Sequence, residues 1–169
     1  SRPYQAACLP LYDHVFAQDG TLVEMLRQQL PPARVSLLGP ACDPREHRVL
    51  DLTEEEKRDL AADIVYLGWA YPNRLAMMES LLEFDVRLWG LGWDASPLLA
   101  SRFRTEPVYG LKKTKIYNAA RILVNLQSTT YQVDGVTCRP FEVAACGGFC
   151  LSGPKKDLAA FFEPREEIV

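Results

Sequence analysis

Short apolar runs alternate with amphipathic stretches along the chain. The apolar runs have the length of buried strands and are bounded by glycine, proline or polar residues. They predict strands at residues 14–18, 34–41, 63–70, 85–93, 106–110, 121–127 and 148–153. The amphipathic stretches predict helices at residues 21–30, 53–62, 72–84, 95–104, 112–120, 137–146 and 154–162. The polar residues 43–52 are predicted to form a loop.

Two of the predicted helices begin with a capping signature. Thr21 with Glu24, and Thr53 with Glu56, each place a hydroxyl residue three positions before a glutamate. In a capping box, the hydroxyl accepts from the third helical N–H, and the glutamate accepts from the N–H of the capping residue. The pattern predicts that both helices start at these threonines.

The order of the elements predicts an α/β fold. Strand alternating with helix is typical of a Rossmann-like parallel sheet with helices on both faces. In such sheets, ligands bind beyond the carboxyl ends of the strands. The candidate site therefore lies in the segments that follow the predicted strands, which are residues 68–74, 90–94, 110–115, 127–142 and 152–156.

Length, composition and charge narrow the class of protein. The 169 residues suit one domain spanning 1–169, and a hydrophobic content of 48% is ordinary for a protein with a core. A net charge of −3 gives no electrostatic reason to expect nucleic acid or an anionic membrane as a partner. No apolar run approaches the ~20 residues of a membrane span, and the first residues lack a signal-peptide pattern. These features predict a cytoplasmic protein.

The cysteines indicate neither a disulfide framework nor a structural zinc site. Their number, five, is odd, and none has C-x-x-C spacing. Cys146 and Cys150 flank a Gly-Gly pair and are interpreted as buried, reduced hydrophobic residues. A catalytic cysteine would need a histidine partner. The sequence holds only His14 and His47, and nothing in it brings either near a cysteine.

The run "GLGWDA" at residues 90–95 matches the dinucleotide fingerprint G-x-G-x-x-G/A after a predicted strand. The fingerprint should open a helix, whereas Ser96 and Pro97 follow closely here. A glycine turn with tryptophans packed beside it is the alternative. An NAD(P)-dependent oxidoreductase that uses Gly90 and Gly92 therefore stays open as a second function.

Basic residues follow two of the predicted strands. Lys112, Lys113 and Lys115 form either a solvated basic face or a phosphate-facing loop. Arg74 is a better candidate for an anion site, because it stands at the start of a helix after a strand that ends in glycine. A helix N-terminus and one arginine together suit a phosphate.

Glu142 heads a short apolar helix within the stretch "DGVTCRPFEVAACGGFCLSG". Pro140 suits the first turn of that helix, and Gly147 suits the position just after its end. The helix dipole alone favours an acid in the first turn. Alternatively, Glu142 faces the crevice and accepts from two adjacent hydroxyls, as on a ribose. Asp134 lies eight residues earlier, in the loop that feeds the same helix, so the two acids suit a sugar nucleotide.

Several segments, taken in order, resemble a known family. They are "FAQDGTLVEMLR", "LLGPACDPREHR", "DIVYLGWAYPNR", "VRLWGLGW", "IYNAARILVNLQ" and "DGVTCRPFEVAACGGFCLSGPKKDLAAFFEPREEIV". They are similar to the C-terminal, donor-binding half of GT-B glycosyltransferases. The nearest group includes the spore-maturation protein CgeB and related group 1 glycosyl transferases. The R-x-F-E-x-x-A-x-G-G run that begins at Arg139 is the most specific of these segments, and the resemblance covers nearly the whole chain.

The resemblance implies that a nucleotide-sugar is bound by Glu142, Asp134, Arg74, Gly68, Gly110 and Arg139. The acid at the Glu142 position holds the ribose of the nucleotide in this family. The position of Asp134, often a glutamate, contacts the donor sugar. Gly68 and Arg74 match the region that approaches the diphosphate, and the segment that ends at Gly110 matches the place of the base.

The resemblance also implies a larger enzyme. GT-B enzymes have two Rossmann-like domains, with the acceptor site and often the catalytic base on the N-terminal one. Residues 1–45 would then link this domain to a missing N-terminal domain, and the closing C-terminal helices would be absent. The donor would be a nucleoside-diphosphate sugar, the acceptor is unknown, and no metal or other cofactor is expected. A non-catalytic interaction domain that kept the fold and lost the site is the remaining alternative.

Overall fold

The computed structural model describes residues 7–126 and 134–169. The chain divides into two compact units. The first unit contains the described residues of 7–41, 134–138 and 154–167, and the second contains residues 42–126, 139–153 and 168–169. Each unit has its own parallel sheet.

The first unit is built around a small strand–helix–strand motif. Strand β1 (Val15–Ala17) pairs in parallel with β2 (Val35–Leu37), and helix α1 (Gly20–Arg27) connects them. Their buried side chains form a small core of Ala17, Val23, Leu26, Leu30 and Val35. The motif brings the end of β1 and the start of α1 to one place.

Helix α1 does not begin with the predicted capping box. Asp19 is its N-cap, with an extended backbone and a carboxylate that accepts from the Leu22 N–H at 3.1 Å. An aspartate at this position satisfies one of the free N–H groups of the first turn. The prediction from Thr21 and Glu24 was therefore wrong, because a stronger cap lies two residues upstream.

The second unit holds a sheet of five parallel strands in the order β5-β4-β3-β6-β7. Its elements, in chain order, are α2 (Glu54–Leu60), β3 (Ile64–Leu67), α3 (Pro72–Glu79), β4 (Val86–Trp89), β5 (Phe103–Arg104), α4 (Gly110–Ala119), β6 (Ile122–Asn125), α5 (Arg139–Ala145) and β7 (Cys150–Ser152). All four residues of β3 are buried, and successive strand side chains point to opposite faces, so both faces of the sheet are covered. The predicted Rossmann-like parallel sheet is confirmed.

Helix α2 begins with the predicted capping box, and helix α5 ends at the predicted glycine. Thr53 and Glu56 form the capping box of α2. Pro140 is the second residue of α5, and Gly147 follows its end with a positive φ of 69°. The Gly147 N–H donates to the Ala144 carbonyl, and the next N–H donates to the carbonyl of residue 143, as in a Schellman motif. Glycine is favoured there because a side chain would be strained.

Three predicted elements differ from the structure. The helix predicted at residues 95–104 is replaced by 3₁₀ turns at Trp93–Ala95 and Pro97–Leu99, followed by strand β5. Proline within the run prevents a continuous helix. The strand predicted at residues 106–110 is absent from the described sheet, since α4 already starts at Gly110. The helix predicted at residues 154–162 is a 3₁₀ turn over Lys156–Ala160.

The strand order defines a switch point between β3 and β6. The chain builds outward from β3 through β4 to β5, then returns to the other side of β3 and continues through β6 to β7. In open parallel sheets, ligands bind at the carboxyl ends of the strands where the order reverses. The carboxyl ends of β3 and β6 are therefore the place to look for a site.

Candidate functional site

Arg139 connects the ends of β3 and β6. It is the first residue of α5, and its guanidinium donates to the Leu67 carbonyl at the end of β3 and to Asn125 Oδ1 at the end of β6, the latter at 3.3 Å. The guanidinium carbon lies 4.9 Å from the centroid of the Tyr66 ring. The motif that begins at Arg139 thus lies at the switch point.

Arg74, near the start of α3, approaches the same ring. Its Nη1 donates to the Trp69 carbonyl at 2.9 Å, and its Nη2 donates to the Leu126 carbonyl at 3.0 Å. Its guanidinium carbon is 5.4 Å from the centroid of the Tyr66 ring and 4.8 Å from that of Tyr71. Arg74 therefore also bridges the chain segments that follow β3 and β6.

The guanidinium groups of Arg74 and Arg139 carry positive charge at the switch point. Their hydrogen bonds go to backbone carbonyls and one amide, and no carboxylate in the described part of the chain pairs with either. Three polar atoms here are buried without a hydrogen-bond partner, namely Arg74 Nε, Arg139 Nε and the Tyr66 hydroxyl. Buried charges are normally paired. The cluster has the electrostatic character of an anion site.

Glu142 lies one helical turn after Arg139 and is held by three side chains. Its Oε1 accepts from Lys113 Nζ at 2.9 Å, and its Oε2 accepts from the Tyr117 hydroxyl at 3.0 Å. His47 Nε2 lies 3.6 Å from Oε1. The Glu142 side chain is only 14% exposed, so it is more than a solvated helix-end charge.

Helix α4 supplies two of these partners because residues four apart share a helix face. Burial raises the pKa of Tyr117, and the Glu142 charge acts in the same direction. The Tyr117 phenol therefore stays protonated near neutral pH and donates to the carboxylate. Lys113 and Tyr117 together fix both oxygens of Glu142.

The lysines of α4 pair with carboxylates of the described residues. Lys112 pairs with Glu106, and Lys115 pairs with Glu56 of α2. With Lys113 on Glu142, each of the three cations has a carboxylate partner. Their charges are already balanced, which leaves the arginines as the better anion ligands.

The glycines after β3 and β4 allow the two turns to pack closely against each other. A Cβ at Gly90 would lie 2.3 Å from the Gly68 carbonyl oxygen, so the two turns approach too closely for a side chain. That carbonyl also accepts from Trp93 Nε1 at 3.0 Å. Gly92, with φ 87°, leads into a 3₁₀ turn and not into an α-helix. The tryptophan-packed glycine turn accounts for this run, and the geometry lacks the helix start that a dinucleotide fingerprint needs.

Gly110 is the first residue of α4 and has φ 54°. Its N-cap residue, Tyr109, is 79% exposed, and the Tyr109 side chain makes no hydrogen bond to the helix start. Free N–H groups at the start of a ten-residue helix are available to a ligand.

Asp134 belongs to the first unit, whereas Glu142 belongs to the second. The Asp134 carboxylate accepts from the Thr21 hydroxyl, and its backbone N–H donates to Asp19 Oδ2 at 3.1 Å. The Asp134 carbonyl accepts from the Asp157 N–H at 3.3 Å. Residues 127–133, also part of the predicted site, lie outside the described residues.

Sequence reasoning missed several residues of the site. Nothing in the sequence distinguishes Tyr66 and Asn125 from their neighbours, because residues of a buried strand show the same pattern whether they only pack or also line a site. Tyr117 could be found from its spacing of four from Lys113. His47 lies in a polar loop whose position depends on tertiary contacts. The structure places Arg74, Arg139 and Glu142 in the second unit.

The described residues give little support for a catalytic cysteine, a metal site or a membrane span. Cys146 and Cys150 are free and buried, and burial raises the pKa of each thiol to about 11, as their predicted inert role requires. Residues 7–126 and 134–169 contain no group of three or more metal-binding side chains. In the same ranges, no helix is both long and apolar enough to cross a membrane.

Comparisons with known proteins agree with an α/β fold of the GT-B type. A family model described as glycosyl transferase-like matches residues 73–169, which include Arg74, Arg139 and Glu142. The chain belongs to this glycosyl transferase-like family. No curated protein matches it.

Among solved structures, the chain is similar to sucrose-phosphate synthase from Thermosynechococcus elongatus, with a TM-score of 0.61 and 15% identity. The match covers 96% of this chain and 46% of that one. At this identity the likeness concerns the fold, and the chain spans about half the length of the structure it matches.

Proposed function

We propose that this chain is the donor-binding part of a glycosyltransferase, and that its second unit binds the nucleoside diphosphate of a nucleotide-sugar. The observation that carries the proposal is the pair of arginines at the β3–β6 switch point, whose charges lack a carboxylate partner among the described residues. A diphosphate would supply the missing negative charge. Guanidinium groups suit phosphate oxygens because their N–H donors form a planar fork.

Glu142 is proposed to accept from the ribose hydroxyls. Lys113 and Tyr117 occupy one lone pair on each of its oxygens, so lone pairs remain for a ligand. An acid fixed by two donors before the ligand arrives loses little conformational freedom on binding. The family match over this segment supports the assignment.

The arginines would also serve the chemistry. In glycosyl transfer, the bond between the sugar's anomeric carbon and the diphosphate oxygen breaks, and the bonding electrons leave with the diphosphate. An acceptor hydroxyl forms the new bond and loses its proton. Preorganised positive groups stabilise the charge that develops on the leaving phosphate. Arg74 and Arg139 are proposed for this role, without a metal ion.

We further propose roles for two glycines and a second acid. Gly68 and Gly110 would line the diphosphate and the base, and Asp134 would contact the donor sugar. The sequence segments favour the CgeB-like group within the family, a cytoplasmic location and a single donor-binding domain. Residues 1–45 would link that domain to an acceptor-binding domain in the whole enzyme.

A binding screen tests the proposal. We expect calorimetry of the chain with UDP, GDP, ADP, CDP and dTDP to detect one preferred nucleoside diphosphate. NAD is included because the glycine run with Gly90 and Gly92 left an NAD(P)-dependent oxidoreductase open as a second function. Binding of NAD alone would overturn the proposal, and failure of every ligand would favour an interaction domain.

The Glu142→Ala variant tests the ribose contact. Loss of one charge-assisted hydrogen bond costs roughly 1.5–3 kcal/mol, so affinity should fall about ten- to a hundredfold. Glu83→Ala is the matched control, since Glu83 is an exposed acid. Equal affinity in folded Glu142→Ala would contradict the assignment.

A further inference from the structure

Trp69 is an exposed tryptophan just after the carboxyl end of β3. The chain has three tryptophans, and Trp69 is 61% exposed, whereas Trp89 and Trp93 are 3% and 0% exposed. The Trp93 indole donates to the Gly68 carbonyl. The Trp69 indole N–H donates to no group within residues 7–126 and 134–169. Neither burial nor a hydrogen bond to the described protein therefore accounts for a tryptophan at this position.

The backbone that carries this side chain is held on three consecutive residues. Gly68 and Ala70, on either side of Trp69, donate their N–H groups to carbonyls of β4 and of the turn after it, at 2.8 and 2.9 Å. The Trp69 carbonyl accepts from Arg74 Nη1 at 2.9 Å. An indole on a fixed backbone loses little conformational freedom when a ligand covers it.

Tyr71, two residues later, is engaged differently. It is 42% exposed, and the Arg74 guanidinium carbon lies 4.8 Å from the centroid of its ring. One face of that ring is therefore used by the arginine. Among the described residues, the Trp69 ring has neither a cation nor a second ring stacked on it. Trp69 is thus the aromatic side chain of this loop whose ring is available to a ligand.

A series of contacts connects Trp69 to the acid of the proposed site. Glu142 lies one helical turn after Arg139. Arg139 and Arg74 approach the same ring, that of Tyr66, at 4.9 and 5.4 Å. Arg74 in turn holds the Trp69 carbonyl. The acid, the two arginines and the tryptophan therefore follow one another in the order in which a nucleotide-sugar carries its ribose, its diphosphate and its sugar.

The order of the strands gives the same direction. Strands β4 and β6 lie on opposite sides of β3. The segment that contains Trp69 hydrogen-bonds toward β4, whereas helix α5, which carries Glu142, packs against β6 and β7. Trp69 therefore lies toward the side of the switch point away from the proposed ribose contact.

We propose that Trp69 is the stacking platform for the sugar of the nucleotide-sugar; this rests on the proposed function and assigns a sugar-binding residue to the same site. The C–H groups on the faces of a pyranose ring carry small positive charges, and the face of an aromatic ring is negative. The free indole N–H is a donor for a sugar hydroxyl. Trp69 thus distinguishes a nucleotide-sugar from the nucleoside diphosphate alone.

Fluorescence tests this contact directly, because Trp69 is the exposed one of the three tryptophans. The probes are the preferred nucleoside diphosphate among UDP, GDP, ADP, CDP and dTDP, and the glucose ester of the same nucleotide. Acrylamide is a neutral quencher, so the arginines do not attract it. We expect the glucose ester to shield Trp69 from acrylamide and the nucleoside diphosphate to leave the quenching unchanged. The Trp69→Phe variant gives the background of the two buried tryptophans.

Equal shielding by both ligands would overturn the proposal, since Trp69 would then cover the base or the phosphates. A bound glucose ester that gives no shielding would overturn it as well.

Calorimetry of variants measures the effect on affinity. Trp69→Ala should bind the glucose ester about tenfold more weakly than wild type, a difference of ~1.4 kcal/mol. It should bind the nucleoside diphosphate equally well, because the carbonyl that Arg74 uses belongs to the backbone. Trp69→Phe keeps an aromatic face and should retain most of the affinity. Leu98→Ala is the matched control, since Leu98 is a 64% exposed apolar residue of the same unit, and it should follow wild type.

The same titrations separate the two proposals. Equal losses for both ligands in folded Trp69→Ala, or no loss for either, would refute the sugar platform and leave the diphosphate site intact. Absence of nucleoside diphosphate binding in wild type would refute the proposed function, and the platform with it.

Discussion

Arg74 and Arg139 place like charges on one aromatic ring, Tyr66. Cation–π contacts of this kind contribute about 0.5–2 kcal/mol each. A ligand with negative charge gains from both guanidiniums at once. The charge on the ligand, more than its base, should therefore dominate affinity at this end of the sheet.

The Arg74→Gln variant tests that expectation. The glutamine side chain keeps a hydrogen-bond donor but loses the charge and the fork. Affinity for the preferred nucleoside diphosphate should fall about tenfold or more, whereas affinity for the uncharged nucleoside should stay the same. Calorimetry with both ligands measures the difference, and an equal loss for both would assign Arg74 a purely structural role.

Tyr117 links stability to pH. Burial raises its pKa above the unfolded value, so its contribution to stability is complete below about pH 10 and is lost as the pH rises through the folded value. The Tyr117→Phe variant should lose roughly 1.5–3 kcal/mol at pH 7, because the charge-assisted bond to Glu142 is gone. It should also lose less stability than wild type in alkali. Urea unfolding of wild type and variant at pH 7 and pH 10.5 measures both effects. An equal loss of stability in the two proteins between these pH values would refute the assignment.

The cysteines should separate by reactivity. Cys8 and Cys138 are exposed, whereas Cys146 and Cys150 are buried with pKa values raised to about 11. Because the thiolate is the reactive form, a thiol reagent at pH 8 should modify the exposed pair first and the buried pair only after unfolding. Mass spectrometry of the labelled peptides identifies them, and early labelling of Cys146 would contradict the burial.

At the scale of elements, helix α5 depends on the glycine that ends it. Gly147 has φ 69°, and an added Cβ would lie 3.2 Å from Val49 Cγ2. Gly147→Ala should therefore destabilise the protein by about 1 kcal/mol or more. Gly153→Ala is the control, since its Cβ would meet nothing within 4 Å. Thermal unfolding compares the two, and equal effects would show that the left-handed turn is not required.

Buried strands and capped helices could be predicted from the sequence, because local patterns determine them. Strand β3 is apolar at every position, and Thr53 with Glu56 forms the capping box of α2 as predicted. Strand β5 could not be predicted, since its two residues pair with β4 only after the chain has folded back. The same limit applies to the site. Glu142 has a local signal, whereas the ring of Tyr66 becomes part of the site only through tertiary contacts.

At the scale of the whole molecule, the described chain passes between its two units at residues 41–42, 138–139, 153–154 and 167–168, and once more between residues 126 and 134. The pattern of apolar and polar residues does not indicate where the chain crosses between the units, so the sequence predicts one domain. Each unit has its own parallel sheet. The single domain over 1–169 therefore stays a prediction.

The last two residues return to the second unit. Ile168 is 5% exposed, and the Val169 carbonyl accepts from the Ser152 N–H of β7 at 2.6 Å. Ile168→Ala should cost about 2–5 kcal/mol, as for other buried isoleucines. Val169→Ala, at a side chain that is 52% exposed, should change stability by no more than about 0.5 kcal/mol. Equal melting temperatures for the two variants would contradict this packing.

Helix α4 carries Lys113, Thr114, Tyr117 and Asn118 on one side, and through them it holds both the acid and the loop of residues 43–52. Each residue of an α-helix turns the chain by about 100°. One residue inserted after Lys113 would rotate the later three side chains away from their partners, together with the buried Ile116. Lengthening the turn before Gly110 would not rotate these side chains relative to one another. Changes of chain length should therefore be tolerated before this helix and abolish ligand binding within it.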